Sequence, residues 1–411
     1  MPIANFSEKL AKYANLIIKT GVNLQPGQTV VLYISVTQQP LAHLIIKEAY
    51  AAGASDVMVK WQDTFSTRQF LQHAADARLE NIPEYLVKEA DYITAKKAAR
   101  ISVISEDPDA FAGIDPQRIA KNQAAMGKVL NSVRKATQNN DLTWTVVAAA
   151  DVAWAKKVFP ALTEQEAVER LWEEIFKTCR INESDPIATW HEHDQKLRAK
   201  AQWLNQEQFS ALHYTSAKTD LVIGLPKDHI WEGAGSYSAE NIEFMANMPT
   251  EEVFTAADKN RINGYVTSTK PLSYAGNILE EIKFEFKGGK VVDISAKNGQ
   301  TILEHLIKTD DGASSLGEVA LVSDPSPISR SGITFYNTLF DENASNHLAL
   351  GSAYPFSIKN GTNMTDEQLT QAGLNLSQVH VDFMMGSSDM NIDGIRADGS
   401  RVPIFRNGDW A

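Results

Sequence analysis

The chain has 411 residues, 43% of them hydrophobic and 22% charged, with a net charge of −12. That length accommodates two or three domains, and the acidic balance argues against nucleic acid or an anionic membrane as the main partner. Cys179 is the only cysteine, which excludes an intrachain disulfide and a zinc–thiolate cluster. The first residues lack a basic stretch followed by an apolar core, and no run of about 18 apolar residues occurs. The expectation is a cytoplasmic protein with no signal peptide and no membrane span.

The first half predicts α/β structure. Phe6, Leu10, Tyr13, Ala14, Ile17 and Ile18 recur at helical spacing, and Gly21 stops the helix. Pro26-Gly27 turns the chain, and the apolar, β-branched run from Thr29 to Val36 predicts a strand buried on both faces. A helix over 41–52 and a second strand over 56–61 complete a βαβ unit with a parallel sheet. Asp115-Pro116 opens a helix, Thr163 to Glu166 reads as a capping box before the stripe Val168, Leu171, Trp172, Ile175 and Phe176, and Asp185-Pro186 opens a helix running to about Asn205. Trp144 to Ala148 predicts one more strand of the sheet.

After residue 210 strands take over. Leu221 to Leu225 is a short apolar strand. Ile282, Phe284 and Phe286 alternate with charges, Gly288-Gly289 turns, and Val292, Ile294 and Ala296 alternate again, which is a hairpin. Only 300–308 keeps a helical pattern of any length. The expected division is an N-terminal α/β domain over 1–215 and an α+β, strand-rich catalytic domain over 216–411.

Several motifs invite a functional reading and do not support one. His191-Glu192-His193-Asp194 falls inside a helix, where residues two apart diverge, so a solvated helix face is expected. Gly288-Gly289-Lys290 lacks P-loop spacing, and Gly233-Ala234-Gly235 is too short for a dinucleotide fingerprint. Neither His-Glu-x-x-His nor Gly-x-Ser-x-Gly occurs. Cys179 sits in a helical stretch and reads as a bland buried thiol.

The informative residues are carboxylates and imidazoles of the second half. Gln378 to Gly386 reads as a strand, and side chains two apart on a strand share a face, so His380 and Asp382 point the same way. Glu318 interrupts the apolar run Leu316 to Val322, where a charge requires a partner. Read alone, Glu252 (beside Glu251) suits a turn, Glu342 a solvated loop, His347 a satisfied core position and Tyr354 core or surface. Gathered in one buried place, Glu252, Glu318, Glu342 and Asp382 would repel one another, and two divalent ions would balance them. The two histidines and Tyr354 complete such a site without adding charge.

Asn247 to Phe254, Gly317 to Ala320, Asn346 to Tyr354 and His380 to Gly386 resemble, in order and spacing, the motifs of the M29 family of metallo-aminopeptidases; Arg406-Asn407-Gly408 fits as well. The resemblance spans essentially the whole chain. It implies an aminopeptidase of leucyl type with two divalent ions (zinc, cobalt or magnesium), acting as a homodimer on peptides. Its metal positions fall here on Glu252 or its neighbour Glu251, and on Glu318, His347, His380 and Asp382, with Glu342 and Tyr354 as ligands or supporting members.

The expected chemistry is release of N-terminal amino acids through a water activated by two metal ions. Glu318 or a neighbouring carboxylate moves the proton to the leaving amine, and Tyr354 hydrogen-bonds the developing oxyanion. The competing readings are a two-metal amidase or esterase acting on non-peptide substrates and a non-catalytic binding protein. The second is weakened by the lack of a glycine-rich phosphate loop after the first strand.

Overall fold

The apolar run Thr29–Ser35 is an inner strand of a four-stranded parallel sheet. The computed structural model describes residues 3–105, 107–275 and 277–411, and places the strands in the order Asp56–Gln62, Thr29–Ser35, Ala99–Ile104, Trp144–Ala148. Thr29 lies opposite Asp56, Val30 opposite Ala99 and Arg100 opposite Trp144. The strands alternate with helices, among them Phe6–Leu16, Gln39–Ala51 and Glu164–Thr178, as parallel pairing requires. The first and last of these bring Phe6 and Trp172 together, ring centroids 5.6 Å apart, and the Tyr13 hydroxyl donates to the Ala148 carbonyl at 2.9 Å.

The capping box at Thr163 and Glu166 forms as expected: each side chain accepts the other's backbone N–H. The strand Ala99–Ile104 was not foreseen. Its alternate residues are only partly buried, and Arg100 breaks the apolar signal while lying over the Tyr33 ring, 5.3 Å from its centroid. A cation parked on an aromatic face keeps its place in a sheet without a carboxylate partner.

The chain groups into two compact units, one of Met1–His193, Gly235–Pro249 and Ala275–Asn277, the other of Asp194–Ala234, Thr250–Tyr274 and Ile278–Ala411. The parallel sheet belongs to the first. The second is strand-rich, as expected, and its helices after residue 210 are short. It contains an eight-stranded antiparallel sheet, in which Lys283–Lys287 and Lys290–Ser295 form the expected hairpin with Phe284 and Phe286 buried. It also contains a four-stranded antiparallel sheet in the order His380–Met384, His347–Gly351, Leu316–Val322, Glu252–Ala256.

Two expectations need correction. Asp194 is not on a solvated face: it is 4% exposed, and its carboxylate takes an ion pair from Arg198 Nε at 2.5 Å, one helical turn on. Glu342 is not in a solvated loop: it is buried in a single 3-10 turn, Glu342–Ala344. Cys179 is fully buried, and burial pushes its thiol up to about 12, so it is inert. Among the described residues no helix is long and apolar enough to cross a membrane.

Candidate metal centre

The four-stranded sheet carries the candidate residues, and its register determines their faces. Asp382 lies opposite Ala349, Ala349 opposite Glu318, and Glu318 opposite Ala256. Directly paired residues share a face, as do residues two apart. His380 and Asp382, His347 and Ala349, Glu318, and Glu252 therefore all project from one side. The other side presents Val253, Val319, Leu321, Leu348, Leu350 and Phe383, all buried. Alternation thus builds an apolar face that anchors the sheet and a donor face on which Ala256, Ala320 and Ala349 leave room. The same register separates Glu252 from Glu251, which precedes it by one residue; the Glu251 backbone N–H donates to Asn343 Oδ1 at 2.7 Å.

The side chains converge. His347 Nε2 is 3.0 Å from Glu252 Oε2 and 3.9 Å from Glu318 Oε1. His380 Nε2 is 3.7 Å from Glu318 Oε2 and 3.5 Å from Asp382 Oδ1. Ligand atoms within 4.8 Å of one another form two groups among the described residues: Glu252, Glu318 and His347, and Glu318, His380 and Asp382. Glu318 is common to both and offers one oxygen to each imidazole. The Glu342 carboxylate lies outside both groups, with Oε1 accepting from Asn343 Nδ2 at 3.4 Å.

Each imidazole is oriented by the backbone. His347 Nδ1 is 2.8 Å from the Glu342 carbonyl and His380 Nδ1 2.7 Å from the Ser352 carbonyl. A carbonyl only accepts, so Nδ1 carries the hydrogen and Nε2 turns to the carboxylates; metal-binding histidines are held in this way. These carbonyls, and Asn343 and Asn346, which accept the N–H groups of Glu251 and Val322, escaped the sequence reading. A backbone acceptor has no side-chain signature, and an asparagine beside a candidate ligand is the only hint.

The electrostatics are those of a cation site. Burial, then the charges of Asp382 and Glu252, push the Glu318 and Glu342 carboxyls up, Glu318 to about 8. For the imidazoles burial acts downward, yet Glu252 holds His347 up at about 10 and Asp382 does the same for His380. Burial is the largest influence on Asp382 and acts upward, but His380, joined by His347, holds the carboxyl below its usual range. Protons thus do the compensating in the metal-free chain. Asp382 Oδ1 is buried without a hydrogen bond, its 3.5 Å approach to His380 being electrostatic only. An orphaned carboxylate oxygen, two Nε2 atoms aimed inward and a shared Glu318 fit divalent ions.

Tyr354 flanks the cluster, its ring 5.1 Å from that of His380, stacked on Phe356 and set edge-on to Phe254. Burial and the surrounding carboxylates push its hydroxyl well above the usual range. It is a neutral donor.

The profile of the thermophilic metalloprotease family M29 matches residues 6–410. Aminopeptidase PepS of Streptococcus thermophilus is 56% identical over all of both chains. Aminopeptidase T of Thermus aquaticus is 38% identical, covering 98% of this chain and 99% of its own length. The solved structure of wild-type AmpT from Thermus thermophilus superposes with a TM-score of 0.91 at 38% identity, over 99% of this chain and 100% of that one.

Proposed function

The chain belongs to the M29 family of thermophilic metalloproteases, and on that premise we propose that its donor face holds two divalent ions, zinc, cobalt or magnesium, which serve in removing N-terminal residues from peptides. It is a metallo-aminopeptidase, a hydrolase. The observation that carries the two-ion reading is the position of Glu318, shared by two groups of ligand atoms. Glu252 and His347 complete one group, His380 and Asp382 the other.

When bound, such ions polarise the scissile carbonyl and lower the pKa of a water to about 7. The chain's own groups do the rest. The two imidazoles present Nε2 because their Nδ1 hydrogens are committed to backbone carbonyls. Glu318, with Glu342 beside it, carries the proton to the leaving amine. Tyr354, held neutral, donates to the oxyanion. We place the enzyme in the cytoplasm, consistent with its acidic, single-cysteine composition, and take it as a homodimer on the family resemblance alone.

Chelation followed by a panel of divalent ions tests the reading. Hydrolysis of leucine p-nitroanilide should vanish and return with metal, metal analysis should find two ions per chain, and an N-acetylated peptide should resist cleavage. Full activity in the chelated protein, or equal cleavage of the capped peptide, refutes it.

A further inference from the structure

An aminopeptidase must hold the free α-ammonium of its substrate, which lies two bonds from the carbonyl carbon it attacks. On the two-ion reading above, Glu252, Glu318, Glu342 and Asp382 are balanced by the cations, so a separate carboxylate is needed. It has to stand on the donor face, beside the ligands and without a hydrogen bond that already occupies its carboxylate.

Glu232 meets each condition. It pairs antiparallel with Phe254 at the outer edge of the Glu252–Ala256 strand, and the two exchange both backbone hydrogen bonds. Directly paired residues point to the same side, about 5 Å apart at Cβ. Phe254 shares its face with Glu252, two residues away, and its ring packs on Tyr354 and Phe356. Glu232, Phe254, Tyr354 and His380 therefore stand in sequence along one side of the sheet.

The segment is held firmly. Gly233 packs so closely on the Leu197–Arg198 backbone that an added Cβ would lie 3.1 Å from Arg198 N. Ile230 N–H donates to the Ser357 carbonyl at 2.8 Å and the Thr255 hydroxyl to the Ile230 carbonyl at 2.8 Å. Among the described residues nothing hydrogen-bonds the Glu232 carboxylate.

We propose that Glu232 binds the α-ammonium of the peptide substrate and so makes the site selective for free N-termini. Its surroundings support the assignment: burial pushes the carboxyl up to about 7, against the pull of Arg198. Arg198 is itself held by Asp194. A half-buried carboxylate of this kind gains from a cation that arrives with the substrate. The aromatic cluster of Phe254, Tyr354 and Phe356 lies alongside, where the side chain of the first residue would rest.

Zinc-loaded wild type, Glu232→Gln and Glu232→Asp are compared by calorimetry with leucine hydroxamate and with its des-amino analogue, 4-methylpentanohydroxamate. The Gln variant should bind leucine hydroxamate about ten-fold or more weakly and the des-amino compound as the wild type does. The Asp variant should recover part of the loss, and KM for leucine p-nitroanilide should follow. Equal affinity for leucine hydroxamate in wild type and Gln variant, or a parallel loss for both compounds, overturns the assignment. The titrations need no turnover. An inert metal-loaded wild type would count against the peptidase reading, whereas the amine preference alone decides the role of Glu232.

Discussion

Glu318 and Asp382 face one another across Ala349, the three standing in one row of the sheet. A methyl group between two carboxylates is what allows their side chains to lean together. Glu318→Gln keeps the volume and removes the charge. Ligand-supporting residues alone are worth about 10–100-fold, so turnover should fall by more than about a hundred-fold. The metal-free melting temperature should barely move at pH 7, because a carboxyl raised to about 8 is already neutral there. Near-normal hydrolysis of leucine p-nitroanilide would remove Glu318 from the site.

Metal uptake should release protons. The free chain keeps His347 and His380 protonated up to about pH 10 and Glu318 up to about pH 8. Each must lose its proton to coordinate, so binding strengthens as pH rises. Below pH 8 as many as three protons leave per chain, one from each of these groups; between 8 and 10 only the two imidazoles contribute. Calorimetry in buffers of different ionisation enthalpy counts them, and no release at pH 7 would contradict the ion-pairing described.

Gly351 lies opposite His380 with φ at +100°, and an added Cβ would run into the Val379 carbonyl. Gly351→Ala strains the backbone and pushes the His380 strand away. It should lower stability by about 2 kcal/mol or more and weaken metal binding at the His380 side. Denaturant titration with and without metal measures both effects; an unchanged midpoint would show that the sheet yields there without cost.

Cys179 should resist iodoacetamide in the native protein and react once unfolded. Its thiol is fully buried beside the Tyr13 hydroxyl at 4.0 Å and pushed up to about 12. Thiolate is the reactive form, so rapid native labelling would mean that the Glu164–Thr178 helix opens readily.

Much of this was legible in the sequence because it is local. The shared face of His380 and Asp382 follows from strand periodicity, and the charge of Glu318 inside Leu316 to Val322 marked a position that needs a partner. The fate of Glu342 was not legible, because the whole stretch from Phe340 to Ala344 is buried by tertiary packing and not by any local pattern. The pairing of Asp194 with Arg198 is local, one turn apart on one helix, but the burial of Asp194 depends on tertiary packing and was not legible. Glu232 carries no local signal: its importance comes from pairing with Phe254, which the sequence does not announce.

The donors come from four strands scattered between residues 252 and 382, so no shorter stretch of the chain can assemble the nest. A chain that has not reached residue 380 holds one of the two ligand groups, Glu252, Glu318 and His347, and lacks the rest of the other. His347 against Glu252 and His380 against Asp382 already stand as imidazole–carboxylate contacts, and the first of them ties together strands far apart in the chain.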